Sequence, residues 1–105
     1  MTQSNTETME LITDECVALK DKLIRKNANY GSAFEKRPCL IPAITPFGGL
    51  MVRLSDKFTR LATLLGGEPD TVGESIEDTL DDIAGYAILA KVLRRKTAIE
   101  DETQN

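Results

Sequence analysis

The sequence predicts an all-α fold of three main helices. A long ordered loop lies between helices 1 and 2, and helices 2 and 3 form an antiparallel hairpin. Apolar residues recur at alternating steps of three and four in three separate stretches, and proline, asparagine and glycine collect between those stretches. The length of 105 residues makes the chain a single domain, 1–105, with its core over about 6–96 and a flexible acidic tail at 97–105. A chain this short buries roughly two-thirds of its unfolded surface. Assembly into a homo-oligomer, built on the helix 2/helix 3 hairpin, is a way to bury more.

Helix 1 is expected over Thr6 to Lys26, because Met9, Ile12, Cys16, Leu19 and Leu23 make one helical stripe. Ser4 and Glu7 fit a capping box, and Lys20, Lys22, Arg25 and Lys26 favour the negative end of the helix dipole. From Asn27 to Pro46 the pattern breaks. That loop carries Tyr30, Phe34, Leu40, Ile41, Ile44 and Phe47, too apolar a set for a disordered linker, so it is read as packed. Helix 2 follows from Phe47, Met51, Leu54, Phe58, Leu61 and Leu65, with Gly48-Gly49 before it and Gly66 as a left-handed C-cap. The turn Gly66–Asp70 leads into helix 3, which starts near Asp70 or Thr71 and runs to about Arg95. Its first stripe is Ile76, Leu80, Ile83 and Ala87, and beyond Ile83 the apolar surface widens around the circumference.

Composition excludes several function classes. The chain has no His and no Trp, which removes Ser-His-Asp and Cys-His catalysis, histidine-ligated metals and a histidine pH switch. A net charge of −4 argues against a dedicated binder of duplex DNA, so no sequence-specific DNA binding is expected. Cys16 and Cys39 stand 23 positions apart, without the CxxC spacing of zinc ribbons or thioredoxin-type sites. Met1–Glu10 is polar and acidic and no apolar run reaches membrane-span length, so a cytoplasmic protein without membrane contact is expected.

Charge is most unevenly distributed between Glu68 and Asp82, where seven acids occur with no base. At ~100° per residue the five from Glu74 onward, Glu74, Glu77, Asp78, Asp81 and Asp82, fall within about 140°, opposite the Ile76 stripe. One reading is a solvated face. The other is that Glu74, Asp78 and Asp82, at successive steps of four, present oxygen ligands to Mg²⁺. Helix 2 offers the counter-charge in Arg53, Lys57 and Arg60, with Asp56 beside them. Those residues make either an inter-helix salt-bridge ladder or a polyphosphate site in which cations hold phosphate oxygens. In a hydrolytic version Glu77 orients the attacking water. A second candidate site is Lys26-Asn27-Ala28-Asn29-Tyr30-Gly31-Ser32. It is either a helix C-cap and turn or a place where Tyr30 stacks on a nucleobase while Asn27 or Asn29 reads its edge.

Three ordered motifs, KNxxYGSAF at Lys26–Phe34, VRLSDKFTRL at Val52–Leu61 and ESIEDTLDDIAGYAIL at Glu74–Leu89, resemble the nucleotide modification associated domain family. These small proteins are common in phages and prophages, and the resemblance implies nucleotide handling without fixing a reaction. Helix 3 is also similar to the ExxED-type helix of all-α MazG-like nucleotide pyrophosphohydrolases, which hold Mg²⁺ on two helices. Their EExxE cluster is matched on helix 2 by Asp56 alone. Three function classes follow: binding of a nucleotide or derivative with or without Mg²⁺-dependent pyrophosphohydrolysis, sequestration of a nucleotide immune signal, and a protein-binding helical module.

Overall fold

A computed structural model describes the backbone of residues 3–67 and 75–104. Among the described residues every regular element is helical: α1 (Gln3–Tyr30), a 3-10 turn (Ala33–Glu35), α2 (Pro46–Leu65) and α3 (Ile76–Gln104). The chain divides into two compact units, Met1–Ala33 and Phe34–Asn105.

The first unit is α1 and the turn that ends it. This helix is longer at both ends than the Thr6–Lys26 expected. It has already begun at Gln3, so Ser4 lies inside it and, in place of capping, lends its carbonyl to the Thr8 hydroxyl at 2.9 Å. At the other end Asn27 and Asn29 stay helical, since asparagine costs only tenths of a kcal/mol in a helix and neither glycine nor proline intervenes before Gly31. The Lys20–Lys26 cations are consequently interior, and the last turn has no base. The helix stops where two consecutive residues turn left-handed, Gly31 at φ 57° and Ser32 at φ 58°. Gly31 adopts that conformation without steric cost. Ser32 is held in it by Asn27, whose carbonyl accepts from the Ser32 amide at 3.3 Å and whose side-chain amide donates to the Ser32 hydroxyl at 3.1 Å.

The second unit is built around the α2/α3 hairpin. Thr45 caps α2, its hydroxyl accepting from the Gly48 amide at 3.0 Å, and Pro46 occupies the first helical turn, where a missing N–H costs nothing. Gly48 and Gly49 thus fall within the first turn of α2 and not before it. A Cβ on Gly48 would stand 3.1 Å from Cγ2 of Ile44 and 3.2 Å from Oγ1 of Thr45, so the incoming chain lies close against the first turn of α2. At the C-terminus the left-handed residue is Gly67, at φ 84°; Gly66, expected in that role, is right-handed at φ −76°.

Helix α3 begins at Ile76, later than the Asp70 or Thr71 expected. Residues 68–74, which include Glu68, Asp70 and Glu74, lie outside the described residues, and Ser75 is not helical. Ser75 starts the helix through a reciprocal capping box: its hydroxyl accepts from the Asp78 amide at 3.1 Å and the Asp78 carboxylate accepts from the Ser75 amide at 3.4 Å. The helix then continues past Arg95 to Gln104, through residues 97–104 that were expected to form a flexible tail and contain neither glycine nor proline.

The helices run antiparallel, since Leu50 packs with Ala90 and, seven residues further along α2, Lys57 meets Asp82. Leu50, 1% exposed, and Ala90 form the core with Phe34 from the 3-10 turn, and Met51, Tyr86, Leu89, Val92 and Leu93 pack around them. Of the apolar loop residues expected to be packed, Phe34 is buried, whereas Leu40 and Ile41 are exposed. Far from the core centre, Lys96 donates to Glu35 at 2.6 Å, and the Arg94 guanidinium lies 5.8 Å from the Phe47 ring centroid, so the 3-10 turn and the start of α2 are both tied to α3.

One face of α3 departs from the expectation. Of its expected stripe, Ile76, Leu80 and Ala87 are exposed and Ile83 is half-buried, whereas Thr79 is fully buried and Asp81 and Asp82 are half-buried. The Thr79 hydroxyl donates to the Ser75 carbonyl at 2.9 Å, so its burial leaves no unmet donor. Replacing Leu50 with Ala is expected to lower stability by roughly 2–5 kcal/mol in urea titrations. Ser75→Ala is expected to cost about 1 kcal/mol through loss of the cap. An unchanged unfolding midpoint for Leu50→Ala would show that the core lies elsewhere.

Candidate functional site

The basic stripe of α2 is divided by the hairpin. Arg53 and Asp56 are exposed, while Lys57 and Arg60 are half-buried and Lys57 reaches Asp82 of α3. Lys57 Nζ lies 3.1 Å from Asp82 Oδ2, with about a quarter of each side chain exposed (24% and 23%). Arg60 carries its Nε buried. Asp81, beside Asp82, is half-buried as well. Lys57 and Asp82 therefore meet across the helix seam, with Arg60 and Asp81 half-buried on the same two helices. Partial burial there strengthens their mutual attraction over that of fully hydrated charges and raises the cost of leaving any of them alone.

Both sequence readings of this stripe find some support in the geometry. Lys57–Asp82 is a rung of the expected ladder. The same rung holds an ammonium group in place next to Arg60, whose planar fork suits phosphate oxygens. The acidic side is arranged differently from the expected metal set. Asp78 is engaged at the cap of α3, Asp82 is engaged with Lys57, Glu77 is exposed, and Glu74 lies outside the described residues. Among the described residues no group of three or more carboxylate or thiol side chains is placed to hold a metal ion.

The second candidate segment, Lys26 to Ser32, belongs to the first unit. Asn27 is committed to closing α1, and Gly31 provides the left-handed turn with open space around its Cα. Tyr30, the final helical residue, is 70% exposed and presents its ring to solvent. Asn29 is exposed beside it. The segment therefore serves as a C-cap and at the same time displays an aromatic face. Lys26 to Gly31 stand in one unit and Arg53 to Arg60 in the other.

Sequence reasoning did not single out Thr79, Glu35 or Lys96. Thr79 falls on the side of α3 that carries Tyr86 and Ala90, and apolar residues on both sides of the helix hide that side on the wheel. For Glu35 and Lys96, 61 residues apart, no sequence signal exists.

The fold and the seam define a class: a small helical protein whose charged side chains meet across an α-hairpin. Residues 26–94, more than half of the chain, match the profile of the family described as nucleotide modification associated domain 1. The chain belongs to that family. Its matched span begins at the Tyr30 segment and covers the whole hairpin seam. No curated protein and no solved structure matches the chain. No helix among the described residues is long and apolar enough to cross a membrane.

If Lys57 and Asp82 interact as their geometry indicates, a double-mutant cycle with Lys57→Ala and Asp82→Ala will show a coupling of about 0.5–1 kcal/mol at low salt. The coupling should shrink as ionic strength rises. Additive losses would mean that the pair contributes nothing to stability.

Proposed function

We propose that this protein binds a nucleotide or nucleotide derivative, with Lys57 and Arg60 at the α2/α3 seam as the phosphate contacts and exposed Arg53, one turn away, extending them. The observation that carries this reading is the half-buried placement of Lys57 and Arg60 within a segment that matches a nucleotide-associated family. A stability role alone rewards such a cluster poorly, because partly desolvated ion pairs return little net energy. Phosphate, by contrast, gains from cations whose hydration has already been reduced and whose side chains are already ordered. In this reading a phosphate oxygen competes with the Asp82 carboxylate for the Lys57 ammonium. Asp81 and Asp82 keep the cations oriented and disfavour permanent capture of small anions.

The exposed Tyr30 ring, with Asn29 beside it, supplies a surface on which a base can stack. Retention of an intact ligand is the reading the described donors favour, since Asp78 and Asp82 already have partners and Glu77 stands exposed.

The deciding experiment incubates the full chain with a panel of nucleoside triphosphates and cyclic nucleotides, with and without Mg²⁺, and analyses bound and released material by chromatography. The expected result is an intact bound nucleotide whose affinity falls about ten- to hundred-fold in Arg60→Ala, the loss of a charge-assisted contact worth about 1.5–3 kcal/mol. Monophosphate and pyrophosphate appearing only with Mg²⁺ would replace retention by pyrophosphohydrolysis. A panel that emerges unbound and unchanged would remove the nucleotide reading and leave a protein-binding module.

A further inference from the structure

Helix α1 has 28 residues, and its apolar side chains are poorly covered: Met9 is 53% exposed and Ile12 59%, Cys16 is exposed, and Leu19 and Leu23 are half-buried. These residues follow a seven-residue repeat. Met9, Cys16 and Leu23 occupy one heptad position, and Ile12 and Leu19 occupy the other apolar one. That is the seam geometry of a two-stranded coiled coil. A helix in water with such a seam gains by burying it, because an isolated helix is marginally stable.

The charges on α1 indicate which partner fits. Glu7, Glu10, Asp14 and Glu15 lie in its first half, and Lys20, Lys22, Arg25 and Lys26 in its second, with Asp21 the exception. A parallel pair of such helices would set like charges side by side. An antiparallel pair sets acids against bases along its length. We propose that α1 pairs antiparallel with α1 of a second copy of this chain, in an isologous two-fold interface.

The heptad gives the register. When Cys16 packs in a layer with the partner's Leu19, Ile12 packs with the partner's Leu23. Glu15 and the partner's Lys22 then stand two residues apart along the axis, ~3 Å at the helical rise, on the flank beside the seam. The two-fold repeats that pair as Lys22 with the partner's Glu15. The two Cys16 thiols fall in adjacent layers next to the axis. The interface uses no residue of the α2/α3 seam, so it stands or falls independently of nucleotide binding.

The test uses the full chain carrying Cys39→Ser, leaving Cys16 as its one thiol. Sedimentation equilibrium should show a dimer, and a short bis-maleimide should link the two copies through Cys16. Glu15→Lys and Lys22→Glu should each weaken the dimer by roughly tenfold, since each turns two attractive pairs repulsive. The combined swap E15K/K22E should restore it. Both positions lie on the helix surface, and circular dichroism will verify that each variant retains its helix content. A monomer at every concentration overturns the proposal. So does a dimer that Cys16 does not cross-link, or one in which the double swap fails to restore association.

Discussion

The packing of α2 on α3 is the constraint on which the rest of the second unit depends. Leu50 and Ala90 meet at close range, and the small alanine allows the two helices to approach there. Once that contact is made with the helices antiparallel, the positions of Lys57, Arg60, Asp81 and Asp82 follow from helical geometry alone. The charged rim is thus a consequence of the apolar seam beside it. Phe34 and the Lys96–Glu35 bond extend the same packing to the 3-10 turn, giving a short hairpin a third contributor to its core.

The charges at the seam trade stability for poise. An ion pair that keeps about a quarter of each side chain in water is neither so hydrated that it is irrelevant nor so buried that it is rigidly fixed. That intermediate state suits a group that exchanges one anionic partner for another. The capping box at Ser75 and Asp78 marks the start of α3, the helix that carries Asp82.

Much of the fold was legible from local signals. The three-four periodicity located all three helices, the Gly66-Gly67 pair marked the end of α2, and Phe34 was among the loop residues expected to be packed. Helix ends were less legible. Asparagines at 27 and 29 suggested a break that did not occur, because a weak propensity loses to the hydrogen-bonded ladder until glycine offers a left-handed exit. The facing of α3 was misjudged for a related reason. Both sides of that helix carry apolar residues, so its wheel did not distinguish the stripe of Ile76, Leu80, Ile83 and Ala87 from the one that holds Thr79, Tyr86 and Ala90.

By itself the sequence determined the helical class, the number of helices, the antiparallel hairpin and the family, since these depend on periodicity, chain breaks and ordered motifs that are local or linear. It also determined which side chains carry charge: Arg53, Lys57 and Arg60 on one helix and the acids from Glu74 to Asp82 at the next. Only the tertiary structure decided which of them meet. Whether Lys57 finds Asp82 and whether Asp78 caps its own helix or faces across depend on helix phase and termini. Those are decided by the close contact of Leu50 with Ala90, to which linear spacing is blind.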